Sequence, residues 1–244
     1  AMAAGATGRY HLSMPLPRQT LPHPLPAEPL AIAADWLQSA TRLKAQPNPN
    51  AMTLATAGAD GQPSARVVLC KDIVAVPGYV SFYTNYDSHK GSELARNPQA
   101  ALVFHWDHLH LQVRVEGRVV QAPAAESDAY FQSRPWQRRI GAWASQQSRP
   151  VADRAALEQA VRDVAARFGA PVPGPEDDPE QDRIAAALRI PRPPNWGGFH
   201  VWATAVELWV EGESRIHDRA RWTRSLTPGA PFSCGPWMVQ RLQP

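Results

Sequence analysis

Only two cysteines occur in the 244 residues, Cys70 and Cys234, too few for the disulfide framework of a small secreted scaffold. No apolar run approaches the ~20 residues that cross a bilayer, and no signal peptide is visible, so a cytoplasmic protein without membrane contact is expected. Charged residues make up 19% of the chain, the net charge is only +3, and Lys and Arg form no long run. That balance argues against a nucleic-acid partner and leans mildly towards small anionic ligands. Also missing are the P-loop, GxGxxG, HExxH, CxxC and GxSxG patterns, which removes the usual signals for nucleotide hydrolysis, classical dinucleotide binding, zinc proteolysis and serine hydrolysis. No metal site is expected. What remains is a chain with 44% apolar residues, long enough to bury a sizeable core.

Proline marks the organisation. Six prolines between Pro15 and Pro29 predict an extended or disordered arm over residues 1–28. Pro29 then sits where a helix can begin, with Ile32, Trp36, Leu37, Ala40 and Leu43 on one face. Strands are expected at 52–57 and 66–71, joined by the Gly58-Ala59-Asp60-Gly61 turn as a hairpin. Further strands are expected at 79–84, 101–106 and 111–121. In the last, Gln112, Arg114, Glu116 and Arg118 alternate with Val113, Val115 and Gly117, a period of two with one wet face. Helices follow at 124–132, 137–146 and 152–168. Residues 169–194 are Pro-rich and acidic and read as a surface excursion with a short helix at 182–189. Strands return at 199–210, 215–222 and 237–242. Helices set between six or more strands predict an α+β barrel.

Two segments carry chemical information. Asp87-Ser88-His89-Lys90 follows a strand and opens a helix, so Ser88 can cap it while free amides and Lys90 hold a phosphate. An ordinary cap beside a solvated lysine is the plainer account. Arg215, His217 and Arg219 fall at i, i+2, i+4, which on a strand places them on one face. Such crowding needs an anion or open solvent. Arg66 and Lys71 bracket an apolar strand, but their odd spacing puts them on opposite faces of a regular one. Tyr130 and Arg134 could meet an anion or simply pack, and Gln147 and Ser148 close a polar helix end.

Taken in order, these blocks resemble the pyridoxamine 5'-phosphate oxidase family. The resemblance runs from about Ala31 to Pro244. It rests on Asn50-Ala51-Met52, the 66–71 strand, Tyr83 to Lys90, Gln112 to Gly117, Tyr130-Phe131 with Ser133-Arg134-Pro135, Ile140 to Ser145 with Gln147-Ser148, Trp196-Gly197-Gly198, Arg215 to Arg219 and Arg241-Leu242-Gln243-Pro244. It implies an FMN-binding split β-barrel with peripheral helices over residues 29–244, assembled as a homodimer with the site at the interface. By matching position, FMN falls to Arg66, Val67, Val68, Leu69, Lys71, Tyr83, Thr84, His89, Lys90, Gln112, Gln147, Ser148, Trp196 and Arg219. The substrate, a phosphorylated B6 vitamer, falls to Lys71, Tyr130, Arg134, Arg138, Arg215 and His217, with Arg215 and His217 as the catalytic pair. The implied activity is FMN-dependent oxidation of pyridoxine or pyridoxamine 5'-phosphate to pyridoxal 5'-phosphate, with dioxygen as acceptor and hydrogen peroxide as product.

Three positions depart from the family pattern. His89 stands where an Arg is usual beside the FMN phosphate, Arg138 where a Ser usually joins the substrate-phosphate clamp, and Leu111 where an Arg usually precedes the Gln-Val-Arg run. Two alternatives stay open: a split-barrel oxidase acting on another ring system, as in phenazine biosynthesis, and a flavin or pyridoxal-phosphate binder without turnover.

Overall fold

The computed structural model describes residues 19–174, 179–185, 187–229 and 231–244. Most of the expected N-terminal arm and the acidic positions 176–178 lie outside them. Residues 19–28 run as coil against the barrel. Leu21 is buried and its amide donates to Asp218 at 2.8 Å, while the Pro26 carbonyl accepts from the Trp222 indole.

Helix α1 (Pro29–Arg42) starts where Pro29 has no amide to leave unpaired, and the Glu28 carboxylate accepts from the Leu30 amide. Its apolar stripe of Leu30, Ala33, Trp36 and Ala40 is buried against the barrel. Strands β1 (Ala51–Ala57) and β2 (Pro63–Val74) form the expected hairpin, in register from Ala57 opposite Pro63 to Ala51 opposite Leu69. Gly61 supplies the positive φ of +80° that the turn requires.

β3 (Tyr79–Asn85), α2 (His89–Arg96), β4 (Gln99–Trp106) and β5 (Leu111–Gln121) follow, then the helices α3 (Ala124–Ser133), α4 (Trp136–Ala144), α5 (Arg154–Arg167) and α6 (Pro179–Ala185). β6 (Trp196–Val210), β7 (Asp218–Thr223), a two-residue ladder of β8 (Leu226–Thr227) with β9 (Ser233–Cys234), and β10 (Met238–Leu242) complete the chain. Strands β6, β3, β2, β1, β4 and β5 pair in that order, all antiparallel, and β5 returns to β6 to close a six-stranded barrel. Closure removes the exposed edges that an open sheet presents.

β6 is the pivot. Along one edge its first half, residues 196–202, pairs with β3, and residues 205–210 pair with β7. Along the other edge it pairs with β5 from Phe199 to Val210. β7 and β10 thereby extend outward from the barrel wall. Inside, Phe82, Phe104, Leu102, Val113, Val201 and Leu208 form part of one buried cluster. Emptying its centre with Phe82→Ala should cost about 3–5 kcal/mol. A second cluster of Phe131, Trp136, Ile140, Ala165, Ile190 and Trp196 seats α3, α4 and α5 beside the start of β6.

The strand expected at 215–222 begins only at Asp218. Glu213–Arg215 is a 3₁₀ turn with Ser214 and Arg215 at positive φ, 52° and 65°. Arg215, His217 and Arg219 therefore do not share a strand face. Gly212 opens the turn, where a Cβ would fall 1.6 Å from the Ile216 carbonyl, but the residues at positive φ are Ser214 and Arg215, so the pattern from Arg215 onward still reads as strand.

Candidate functional site

A cavity of about 540 Å³ opens where β2, β3, α2, α4 and the start of β6 meet. Among the described residues five cations line it, Arg66, Lys71, Lys90, Arg134 and Arg138, and no carboxylate does. Like charges gathered in one cavity favour an anionic occupant.

The cations fall into two groups. At one end Ser88 caps α2, its hydroxyl accepting from the Gly91 amide. Gly91 fits there because a Cβ would come within 1.9 Å of the Tyr86 carbonyl. Buried Lys90 donates to Thr84 Oγ1 at 3.0 Å, Ser88 Oγ at 3.1 Å and Gln147 Oε1 at 2.9 Å. Burial, with the Arg66 charge added, lowers its pKa to about 8. Arg66 pairs with Glu93 at 3.2 Å and also donates to Thr56 and Ser64. Burial works against the Glu93 charge. Hydrogen bonds from Thr56, Ser64 and His89 outweigh it, and the carboxyl is held at about 2. Glu93 thus aims Arg66 from below while standing outside the cavity lining.

At the other end Lys71 lies over the Tyr130 ring at 5.3 Å, and the Arg134 guanidinium lies over Trp196 at 4.7 Å. Arg134 Nη1 is buried and has no hydrogen-bond partner among the described residues. Burial above all, with the charges of Arg138 and Arg139, lowers the pKa of Arg134. An orphaned cationic donor in such a place calls for an anion.

Arg66 and Lys71 share this cavity despite their odd spacing. The β2–β3 register slips between Cys70 and Asp72, which face the consecutive residues Phe82 and Ser81. Lys71 is the extra residue of a β-bulge, and β2 lines the cavity with residues of both parities, Arg66 and Val68 as well as Val67 and Leu69. A regular-strand reading of the sequence has no way to register this.

Val67, Val68, Leu69, Tyr83, Thr84, Tyr130, Gln147 and Trp196 also line the cavity. Asn85, Gly141, Ala142 and Ser145 join them, positions the sequence did not single out. Glu93 was missed as well, although it stands four residues after His89 on one helix and pairs with it at 3.0 Å, a spacing that could have signalled the contact. His89 and Ser148 line a neighbouring cavity with Arg96 and Arg149.

Gln112, Arg215, His217 and Arg219 lie elsewhere. Gln112 and Arg219 flank Trp209 on β5 and β7, thirteen positions along β6 from Trp196, or roughly 40 Å of strand contour. Arg219 is clamped by the buried Glu207 through Nε at 3.1 Å and Nη2 at 2.8 Å, and Nη1 donates to the Gln243 carbonyl. His217 Nδ1 accepts the Gly212 amide at 3.2 Å, and its ring packs on Trp209 at 4.6 Å. Val67 in the cavity wall and Ile216 beside His217 are 68% and 73% exposed, so both places present apolar surface.

Two cation groups fit two phosphate monoesters, or one phosphate and one carboxylate. Among the described residues no cluster of metal ligands occurs and no helix is long and apolar enough to cross a membrane.

Comparison with known proteins gives these features a family. A model described as pyridoxamine 5'-phosphate oxidase matches residues 40–168, and one described as the pyridoxine 5'-phosphate oxidase C-terminal dimerisation region matches residues 196–244. The chain is 48% identical over 223 residues to the pyridoxine/pyridoxamine 5'-phosphate oxidase of Bordetella petrii, covering 89% of this chain and 90% of that protein. It is 47% identical to the Maricaulis maris protein of the same name, covering 89% and 86%. Among solved structures, PhzG from Burkholderia lata in complex with tetrahydrophenazine-1-carboxylic acid aligns with a TM-score of 0.73 at 27% identity, covering 90% and 94%. A pyridoxamine 5'-phosphate oxidase-related, FMN binding protein from Nostoc punctiforme shares the fold at a TM-score of 0.59 and 16% identity, covering 88% and 96%. With its closed barrel, peripheral helices and doubly cationic cavity, the chain belongs to the pyridoxamine 5'-phosphate oxidase family of split-barrel oxidoreductases.

Proposed function

We propose that this protein is an FMN-dependent oxidase of pyridoxine and pyridoxamine 5'-phosphates, working as a homodimer with two shared sites. The observation that carries the reading is the cavity with two separate cation groups and, among the described residues, no carboxylate. One group takes the FMN phosphate and the other the phosphate of the substrate.

Arg66, Lys90 and the Ser88-capped start of α2 bind the first phosphate. Val67, Val68 and Leu69 offer an apolar strip for the flavin ring. Lys71, Tyr130, Arg134 and Arg138 bind the second phosphate and orient the substrate ring. Gln112, Arg215, His217 and Arg219 stand at the far end of β6, so a second copy supplies them. Because His217 Nδ1 accepts an amide proton, the neutral imidazole holds its own proton on Nε2 and presents a donor there. Held by these residues, FMN would supply the two-electron redox chemistry, with dioxygen as the final acceptor and hydrogen peroxide as product. The residues contribute binding, orientation and charge.

Hydrogen peroxide formation on adding pyridoxine 5'-phosphate to the FMN-loaded protein tests this. A preference for the ligand in the PhzG complex predicts turnover of tetrahydrophenazine-1-carboxylic acid instead, which carries no phosphate for the Arg134 group. Peroxide from neither substrate would leave a flavin or pyridoxal-phosphate binder and overturn the reading.

Arg138 tests the second group separately. Arg138→Ser should raise the KM for pyridoxine 5'-phosphate several-fold and leave kcat nearly alone, the mark of binding lost equally from ground and transition states. An unchanged KM would remove Arg138 from the clamp.

The flavin end has its own pH signature. Lys90 is cationic below about 8, so affinity of the apoprotein for FMN should hold near pH 7 and fall as pH rises through 8. Binding at pH 9 then takes up a proton. Fluorescence titration between pH 7 and 9.5 reads this, and equal affinity across that range would sink it.

A further inference from the structure

Behind the cavity wall three elements converge on one oxygen atom. Tyr83 on β3 donates its hydroxyl to Glu126 Oε1 of α3 at 3.1 Å, and His200 Nε2 of β6 meets the same oxygen at 2.8 Å. The His200 side chain is 7% exposed and stacks on the Tyr79 ring at 4.1 Å and 17°. Strand register explains the meeting, since Tyr83 faces Gly198 and Ser81 faces His200 across the β3–β6 ladder. Gly198 lets the Tyr83 ring lie against the strand, because a Cβ there would fall 2.8 Å from Tyr83 Cε1.

The opposite side of that ring is the cavity. Tyr83 stacks on Tyr130 at 4.1 Å and 28°, and on Trp196 at 5.6 Å and 18°. Tyr130 in turn carries Lys71 over its face. Burial, then the Glu126 charge and hydrogen bond, pushes the Tyr83 pKa up, so the hydroxyl keeps its proton and remains a donor. A phenol held this way is a poor acid or base for turnover. Its hydroxyl is taken by Glu126 of α3, while its ring stacks on Tyr130 and Trp196 in the cavity wall.

We propose that Glu126, steadied by His200, is a positioning residue that fixes the tilt of Tyr83 and through it the Tyr130 wall that grips the phosphorylated substrate. This rests on the reading of the Lys71–Arg134 end as the substrate clamp. Without that bond the Tyr83 ring is free to change its tilt and loosen the Tyr130 stack. Binding then suffers more than the chemical step.

The test is a cycle of Glu126→Ala, Tyr83→Phe and the double variant, with Glu126→Gln as the conservative control. Glu126→Ala and Tyr83→Phe should each raise the KM for pyridoxine 5'-phosphate on the order of tenfold and lower kcat far less. The double variant should be no worse than either, because both remove the same bond. Glu126→Gln keeps an acceptor oxygen and should stay within about twofold of the parent. Equilibrium binding of pyridoxal 5'-phosphate to the apoprotein, read by quenching of tryptophan fluorescence, should follow the same order. That readout scores the brace even if the parent protein shows no turnover. Unchanged KM and Kd in Glu126→Ala, additive losses in the double variant, or a Glu126→Gln variant as poor as alanine would each overturn the proposal. If Glu126→Ala does not fold, Tyr83→Phe decides, since it removes one oxygen and keeps the ring; unaltered binding there overturns it.

Discussion

Replacing both Arg66 and Lys90 with alanine is expected to yield a folded protein that no longer retains flavin. Each cation facing a phosphate dianion contributes about 1.5–3 kcal/mol through charge-assisted hydrogen bonds, or roughly 10- to 150-fold in affinity. The two serve one group, so their losses will not simply add, yet the pair should weaken binding at least about a hundredfold. The fold should survive for a specific reason. Without Arg66, the buried Glu93 still accepts from Thr56, Ser64 and His89, so its charge is not abandoned. Without Lys90, Thr84 still bonds Gln147 at 3.0 Å. Flavin content per chain after dialysis and the FMN Kd of the apoprotein measure the outcome. A double variant that keeps full occupancy would refute the placement of the FMN phosphate.

Arg215→Ala and His217→Ala should do the reverse, cutting oxidation of pyridoxine 5'-phosphate by about a hundredfold or more with FMN occupancy nearly intact. Neither residue lines the cavity at the Arg66–Lys90 end; Arg215 closes the 3₁₀ turn and His217 packs on Trp209. Their proposed role is to orient the reacting carbon, where small misplacement is costly. Equal loss of flavin and activity would make them structural. The pair also tests the shared site. Neither an Arg215→Ala homodimer nor an Arg66→Ala, Lys90→Ala homodimer should be active, but co-refolded chains form mixed dimers with one intact site. Recovery approaching about a quarter of the parent activity is expected from random pairing of equal amounts. No recovery would confine each site to one chain.

Much of the fold was legible because local signals agreed with the global arrangement. Pro29 after Glu28, the alternation over β5 and the Gly58 to Gly61 turn each read correctly from short-range pattern. The cation-bearing segments were legible for the same reason, as residue types at strand and helix ends. What escaped the sequence was set by pairing between distant segments. The bulge at Lys71 is a property of the β2–β3 register, which no residue in β2 announces. The left-handed Ser214 and Arg215 break a strand-like pattern, and the glycine that admits the turn, Gly212, stands ahead of them rather than at the positive-φ positions. The Glu126–His200 contact joins residues 74 positions apart, and only the closed barrel brings them together. Glu93 looked like an ordinary helix position, and its importance comes from what lies beneath α2.

The seam between β5 and β6 also fixes an order of assembly. Gln121 faces Phe199 across it, so the chain leaves the barrel after β5 and re-enters it at the start of β6, close to the same place. Tyr130, Arg134 and Arg138 travel on that detour, and Trp196 sits at its end. They meet Arg66 and Lys71 only after the ladder has zipped, a late event because long-range pairing must first overcome chain entropy. Length within the detour is cheap by comparison, about 0.6 kcal/mol for each doubling. The 169–194 stretch can therefore vary in size with little thermodynamic consequence, while a change of one residue in the seam register would scatter the cavity before any ligand could reach it.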